Sequence, residues 1–200
     1  MLKKISSSIA PKQVINALIT LYHQGKIEDI LSRAPKILEE YPNTPILYNI
    51  LGSISAEKGL KLKAASYFRK TIELLPEDPD AYNNLGAVLN DLQENQEALI
   101  SIKKAIALRP DYAEAYNNLG NIYKEQKKYN KAITNYKKAI KFKPNYYEAH
   151  NNLGVLYKKI KNFPSALNSI YKALDINANS PQVYNSLASL YFELNDYKKS

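Results

Sequence analysis

Apolar residues recur along the chain in two alternating stripes, both with helical spacing. Tyr82, Leu85, Gly86 and Leu89 lie at i, i+3, i+4 and i+7, one face of a helix at about 100° per residue. After a short polar gap, Ala98, Ile102 and Ala105 form a second such set. The pattern predicts a pair of amphipathic helices, A and B, joined by a turn and closed by Pro110.

The pair repeats. The string YNNLG at Tyr82–Gly86 returns at Tyr116–Gly120, and HNNLG follows at His150–Gly154, each time 34 residues on. One period earlier stands Tyr48-Asn49-Ile50-Leu51-Gly52, and one period later Tyr184-Asn185-Ser186-Leu187-Ala188. A lead-in at 1–10 precedes units at 11–44 (divergent), 45–78, 79–112, 113–146 and 147–180, then a partial sixth at 181–200. No insertion interrupts the register. Within a unit, helix A is predicted at about positions 1–14 and helix B at about positions 18–30.

Several positions are near-constant. Position 20 is Ala64, Ala98, Ala132 and Ala166; position 27 is Ala105, Ala139 and Ala173; position 32 is Pro42, Pro76, Pro110 and Pro144. Together with the aromatic or His at position 4, Leu at 7 and Gly or Ala at 8, these residues resemble the tetratricopeptide repeat family over residues 11–200. The resemblance implies an all-α fold, a right-handed superhelical α-solenoid of 34-residue helix-turn-helix repeats, its concave face lined mainly by A helices. The Asn-rich pattern is most similar to the repeat arm of O-linked N-acetylglucosamine transferase-like proteins. The Lys and Arg of carboxylate-clamp adaptors are missing: position 5 is Asn, and position 2 is Asp80, Glu114 and Glu148.

Glycine and proline fit the register. Gly52, Gly86, Gly120 and Gly154 stand at position 8, where a missing side chain admits helix B. Gly25 and Gly59 stand at position 15, the A–B turn, where a left-handed residue ends a helix. Pro35 falls inside the first B helix and predicts a kink there. Most of the 17 tyrosines occupy packing positions between A and B helices, so they read as core and not as a stacking platform.

Candidate chemistry is sparse. The chain has no cysteine and two histidines; His150 replaces the position-4 aromatic and reads as packed core, and His23 has no evident ligand partner. No HExxH, GxSxG, GxGxxG or phosphate-loop motif occurs, so neither a metal nor a cofactor is expected, and the segment is expected to lack catalysis of its own. Ser6, Ser7 and Ser8 interrupt the start of what would be a leader's apolar stretch, and no later run is long enough to span a membrane. A cytoplasmic location is the expectation.

The polar side of helix A carries asparagine in quantity. Position 5 is Asn49, Asn83, Asn117, Asn151 and Asn185; position 6 is Asn84, Asn118 and Asn152; Asn121 adds position 9. A side-chain amide offers a donor and an acceptor, matching the N–H and C=O of an extended peptide. These nine residues are the candidate peptide-binding set, the alternative for position 6 being packing between repeats.

Charge modifies this picture. The net charge is +9, yet the outward A-helix positions hold more acids (Asp80, Glu114, Glu148 among them) than bases. The positive excess lies on helix B, where Lys36, Lys70, Lys104, Lys138 and Lys172 share position 26, and residues 113–146 alone carry +6. A nucleic-acid groove would concentrate positive charge along the phosphate path, so nucleic acid is not expected on the A face. The leading expectation is a scaffold binding a peptide or partner helix there. The alternative, implied by the transferase resemblance, is the substrate-recruiting arm of a larger enzyme. Tyr184, Leu187 and Tyr191 lack a facing B helix, so we expect the chain to continue past Ser200 or this end to pair with another copy.

Overall fold

The computed structural model describes residues 9–197. The leader-like residues 1–8 and the last residues of the partial sixth repeat, 198–200, lie outside the described residues. Among the described residues are eleven helices and no strand: α1 (Lys12–His23), α2 (Ile27–Glu40), α3 (Pro45–Glu57), α4 (Lys61–Leu74), α5 (Pro79–Asp91), α6 (Asn95–Leu108), α7 (Ala113–Glu125), α8 (Tyr129–Phe142), α9 (Tyr147–Lys159), α10 (Phe163–Ile176) and α11 (Pro181–Tyr197). Odd-numbered helices are A helices and even-numbered ones B helices. The fold is an all-α helical repeat solenoid.

The helices divide between two compact units, one ending at Leu108 and one starting at Arg109. In the first unit α4 packs on both α3 and α5; in the second, α8 packs on α7 and α9, and α10 on α9 and α11. The seam between A and B is made by position 8 against position 24. A Cβ built on Gly52 would stand 2.6 Å from the Phe68 ring, and one on Gly120 would stand 2.5 Å from the Tyr136 ring. Gly86 faces Ile102 and Gly154 faces Ile170 in the same way. All four facing side chains are buried.

The first hairpin departs from this rule. Leu18 occupies position 8, and its bulk accompanies a cavity of about 410 Å³ between α1 and α2, lined by Val14, Leu18, Leu21 and Ile37. Helix α2 runs from Ile27 to Glu40 with Pro35 inside it. The ring removes one helical N–H without ending the helix, and Pro35 itself is exposed.

All five A–B turns share one backbone solution. Position 15 has positive φ in each: Gly25 (68°), Gly59 (74°), Gln93 (65°), Lys127 (57°) and Lys161 (60°). In the α7–α8 turn, Lys128 N–H reaches Tyr123 O (2.9 Å) and Lys127 N–H reaches Lys124 O (3.0 Å), the paired bonds of a Schellman motif. These bonds offset the roughly 1–2 kcal/mol that a left-handed conformation costs a residue with a Cβ.

Position 4 closes the other end of the unit. The Tyr48 hydroxyl donates to Pro42 O (3.0 Å), and His150 Nε2 lies 3.0 Å from Pro144 O. A carbonyl only accepts, so Nε2 of His150 carries the proton there. In these two repeats the position-4 ring is thus tied to the position-32 proline of the unit before it.

Helix α11 differs from the other A helices. It spans 17 residues where α3, α5, α7 and α9 span 13, running on through Asn195 at the turn position. Tyr184 (50 %), Tyr191 (44 %) and Phe192 (69 %) are exposed on it.

Candidate functional site

The A helices sort the nine asparagines into three kinds. In the first unit Asn83 is buried (6 % exposed), whereas Asn49 and Asn84 are half-buried. In the second, Asn117 (5 %) and Asn151 (2 %) are buried, Asn118, Asn121 and Asn152 are half-buried, and Asn185 is exposed. Position 5 therefore does not stand open to a ligand in the middle of the array. A wheel drawn for one isolated helix puts it opposite the apolar stripe, but neighbouring A helices lie alongside, α3 on α5 and α7 on α9, and cover it.

Part-buried amides link one repeat to the next. Asn84 Nδ2 donates to Asn49 Oδ1 (3.4 Å) in the first unit, and Asn152 Nδ2 donates to Asn117 Oδ1 (3.0 Å) in the second. Position 6 of one repeat thus bonds position 5 of the repeat before. Asn117 also hydrogen-bonds the Tyr146 phenol; burial, followed by Glu114 and Glu148, nevertheless raises that phenol's pKa well above its usual value. Asn121 accepts from the Tyr136 hydroxyl at 2.7 Å. Sequence alone does not single out Tyr146, because position 34 varies from unit to unit.

The ladder fails at one rung. Asn151 Oδ1 is buried without a hydrogen-bond partner. Position 6 of α11, which would supply its donor, is Ser186, and Ser186 donates to Gln182 O within its own helix (3.0 Å). A buried unsatisfied carbonyl costs roughly 1–3 kcal/mol. Ser186→Asn is accordingly expected to raise stability by about 1 kcal/mol, seen as a higher urea midpoint with an unchanged slope. No gain in midpoint would count against this account of the orphaned oxygen.

The half-exposed asparagines sit among acids. Glu114 holds Lys143 at 2.6 Å, Lys158 lies between Glu193 (3.2 Å) and Ser189 (2.6 Å), and Lys124 is 3.5 Å from Glu125. The face therefore offers amide groups and paired charges, with side-chain hydrogen bonding as its main chemistry. Among the described residues no group of three His, Cys, Asp or Glu is placed to hold a metal ion, and no helix is long and apolar enough to cross a membrane.

Known proteins bear out the family. A TPR repeat model matches residues 86–127 and 120–161, and two tetratricopeptide repeat models match residues 67–100 and 147–180. Together the matches run from residue 67 to 180, and the chain belongs to the tetratricopeptide repeat family. No curated protein matches it. Among solved structures it is similar to MamA, with 28% identity, a TM-score of 0.66, and coverage of 80% of this chain and 93% of that one. TTC0263, a thermophilic TPR protein of Thermus thermophilus, shares the fold at 21% identity and a TM-score of 0.78, covering 92% of this chain and 100% of that one. YrrB, a TPR protein with an unusual peptide-binding site, shares it at 24% identity and a TM-score of 0.63, with 87% and 90% covered. Family membership supports a protein-interaction scaffold.

Proposed function

We propose that the chain is a protein-interaction scaffold whose A-helix faces bind an extended peptide or a partner helix. The observation that carries this is the half-exposed set Asn84 in the first unit and Asn118, Asn121 and Asn152 in the second. Asn84 and Asn152 commit their amide nitrogens to the ladder. Their carbonyl oxygens remain as acceptors for a peptide N–H, and the ladder fixes their direction. Each such bond nets only about 1 kcal/mol, so binding draws on several together, and the fixed amides reduce the ordering cost. Glu148 at position 2 of α9 then favours a peptide carrying a basic side chain. That peptide binding occurs on this fold in YrrB agrees with the reading.

The test is selection of randomised displayed peptides on the intact chain, followed by amide-shift mapping of the selected sequences. Shifts are expected on α7 and α9 of the second unit, and Asn118→Ala combined with Asn152→Ala should weaken binding about tenfold, the loss of one to two hydrogen bonds. Shifts confined to the B helices, or unchanged affinity of the double variant, would remove the A-face reading.

The exposed Tyr184, Tyr191 and Phe192 of α11 favour a second role for this end, pairing with another copy of the chain. Sedimentation of the wild type against Tyr191→Asp would show it as a dimer lost on substitution; a monomeric wild type at high concentration would dismiss it.

A further inference from the structure

The two halves of the chain differ sharply in charge. Residues 1–108 hold 13 Lys and Arg against 12 Asp and Glu, whereas residues 109–200 hold 15 against 7. Much of the excess lies on one B helix and its flanks. From Gln126 to Tyr147 there are seven lysines and no acid. Lys131, Lys137, Lys138 and Lys141 of α8 are all exposed, and they fall within about 120° of the helix circumference.

The B helices of the first unit also carry bases, and three of these are paired with acids. Arg69 lies 3.0 Å from Glu97, Lys70 lies 2.7 Å from Glu73, and Lys104 lies 3.9 Å from Glu77. On α8, among the described residues, no carboxylate lies within 4 Å of any of the four lysines. A cleft of about 300 Å³ opens beside them in the second unit, with Lys137 and Lys172 on its walls together with Asn168, Ser165 and Ser169. His150 also lines it, with Nε2 already committed to Pro144 O. Asp175, the one acid of α10, makes no ion pair with either lysine within 4 Å. Ile140, Leu153 and Tyr157 complete the lining, and the Ser169 hydroxyl donates to Ser165 O (2.9 Å). Two ammonium groups, the Asn168 amide and the Ser165 hydroxyl beside apolar side chains are the complement of a carboxylate on an aliphatic stem.

We infer that this B-helix surface of the second unit is a docking site for an acidic polypeptide segment, one Asp or Glu side chain seating in the cleft between Lys137 and Lys172. Three features favour a polypeptide over other anions. The basic run from residue 126 to 147 contains lysine and no arginine, whereas phosphate and base recognition draw on the bidentate fork of arginine. The nearby tyrosine rings are covered: Lys131 lies over Tyr123 (5.6 Å), Lys138 over Tyr116 (5.2 Å) and Lys159 over Tyr129 (5.8 Å). The two exposed rings beside them are themselves engaged, Phe142 stacked on Tyr116 and Tyr171 tied by its hydroxyl to Tyr191 (2.6 Å), so single-stranded bases meet no continuous stacking platform. Phe142 is the one exposed large apolar side chain of α8, and its ring stacks on Tyr116, so a lipid surface gains little by insertion.

Both lysines lie on B helices, and the α9 residues that line the cleft, His150, Leu153 and Tyr157, belong to that helix's packing stripe, so the site does not depend on the A-face reading. The experiment measures anisotropy of a labelled poly-glutamate peptide with the intact chain at low salt. Lys137→Gln with Lys172→Gln is expected to weaken binding about tenfold, and raising salt to about 0.5 M should abolish it, because exposed pairs are readily screened. Neither lysine has a cation–π contact in the structure, so the fold should be retained, checked by circular dichroism. Lys103→Gln with Lys104→Gln on α6 is the control that leaves binding unchanged. Equal binding by the Lys137/Lys172 variant, or no binding by the wild type, would overturn the site. Tighter binding of oligothymidine or of phosphatidylserine vesicles through the same two lysines would overturn the assignment to a polypeptide.

Discussion

Replacing Gly120 by alanine is expected to destabilise the protein, although alanine is the better helix former. In an exposed helix the change would gain about 1 kcal/mol. Here the new methyl would stand 2.5 Å from the Tyr136 ring, which is fully buried and held by the hydroxyl bond to Asn121. A planar ring so fixed has no flexible end to move aside, and overpacking of this kind costs about 1–3 kcal/mol, sometimes more. The net loss should be about 2 kcal/mol at the upper end of that range, measured by urea unfolding. The same position in α11 supplies a control of opposite sense. Ala188 is exposed, so Ala188→Gly should lose about 1 kcal/mol through helix propensity alone. A neutral or stabilising Gly120→Ala would mean that the seam between A and B helices yields more readily than its distances suggest.

The largest single loss should come from Tyr136→Ala. The ring is 0 % exposed and sits among Ala132, Leu153, Leu156 and Tyr123. Truncation of a buried aromatic costs about 3–5 kcal/mol, enough to unfold a marginal domain. Tyr136→Phe keeps the packing and should lose about 1 kcal/mol, the hydroxyl bond to Asn121. Gly120→Ala should add little to Tyr136→Ala, because the ring that the methyl would strike has gone.

Alkaline titration separates the hydroxyl from the ring. Burial, with a smaller push from Glu125, raises the phenol pKa above its ordinary value of 10.0. Below that value the phenol is neutral whether the chain is folded or not. Above it the unfolded chain ionises while the folded one keeps its proton, so stability falls as pH rises. Tyr136→Phe should show a shallower alkaline loss than the wild type.

The helical pairs and their 34-residue register were legible in the sequence because one solution is written out several times. Helices α3, α5, α7, α9 and α11 begin at residues 45, 79, 113, 147 and 181. Turn geometry was only half legible: Gly25 and Gly59 signal a left-handed residue, whereas Gln93, Lys127 and Lys161 adopt it under the Schellman bonds with no compositional cue. The candidate site was less readable than the fold. Repeat number and spacing located the asparagines, but whether an amide is covered depends on the adjacent A helix, which no single-helix wheel contains. The Lys137–Lys172 cleft was hidden for a related reason. Position 26 shows a lysine in every complete unit, and only ion pairing distinguishes neutralised lysines from those that remain open.

The serine at position 186 sets where the second unit comes apart first. Between α7 and α9 the repeats share packing and an amide link; between α9 and α11 the amide link is missing, since Asn151 finds no donor, and the surface bonds of Lys158 to Glu193 and Ser189 are what joins the packing. Helix α11 also has much of its aromatic surface in solvent already, so releasing it exposes less apolar area than releasing α9 would. In a nearest-neighbour array a helix held this weakly opens in a sub-global step, below the free energy of complete unfolding. The boundary between fraying and cooperative structure is thus drawn by one side chain that ends in a hydroxyl where its counterparts end in an amide.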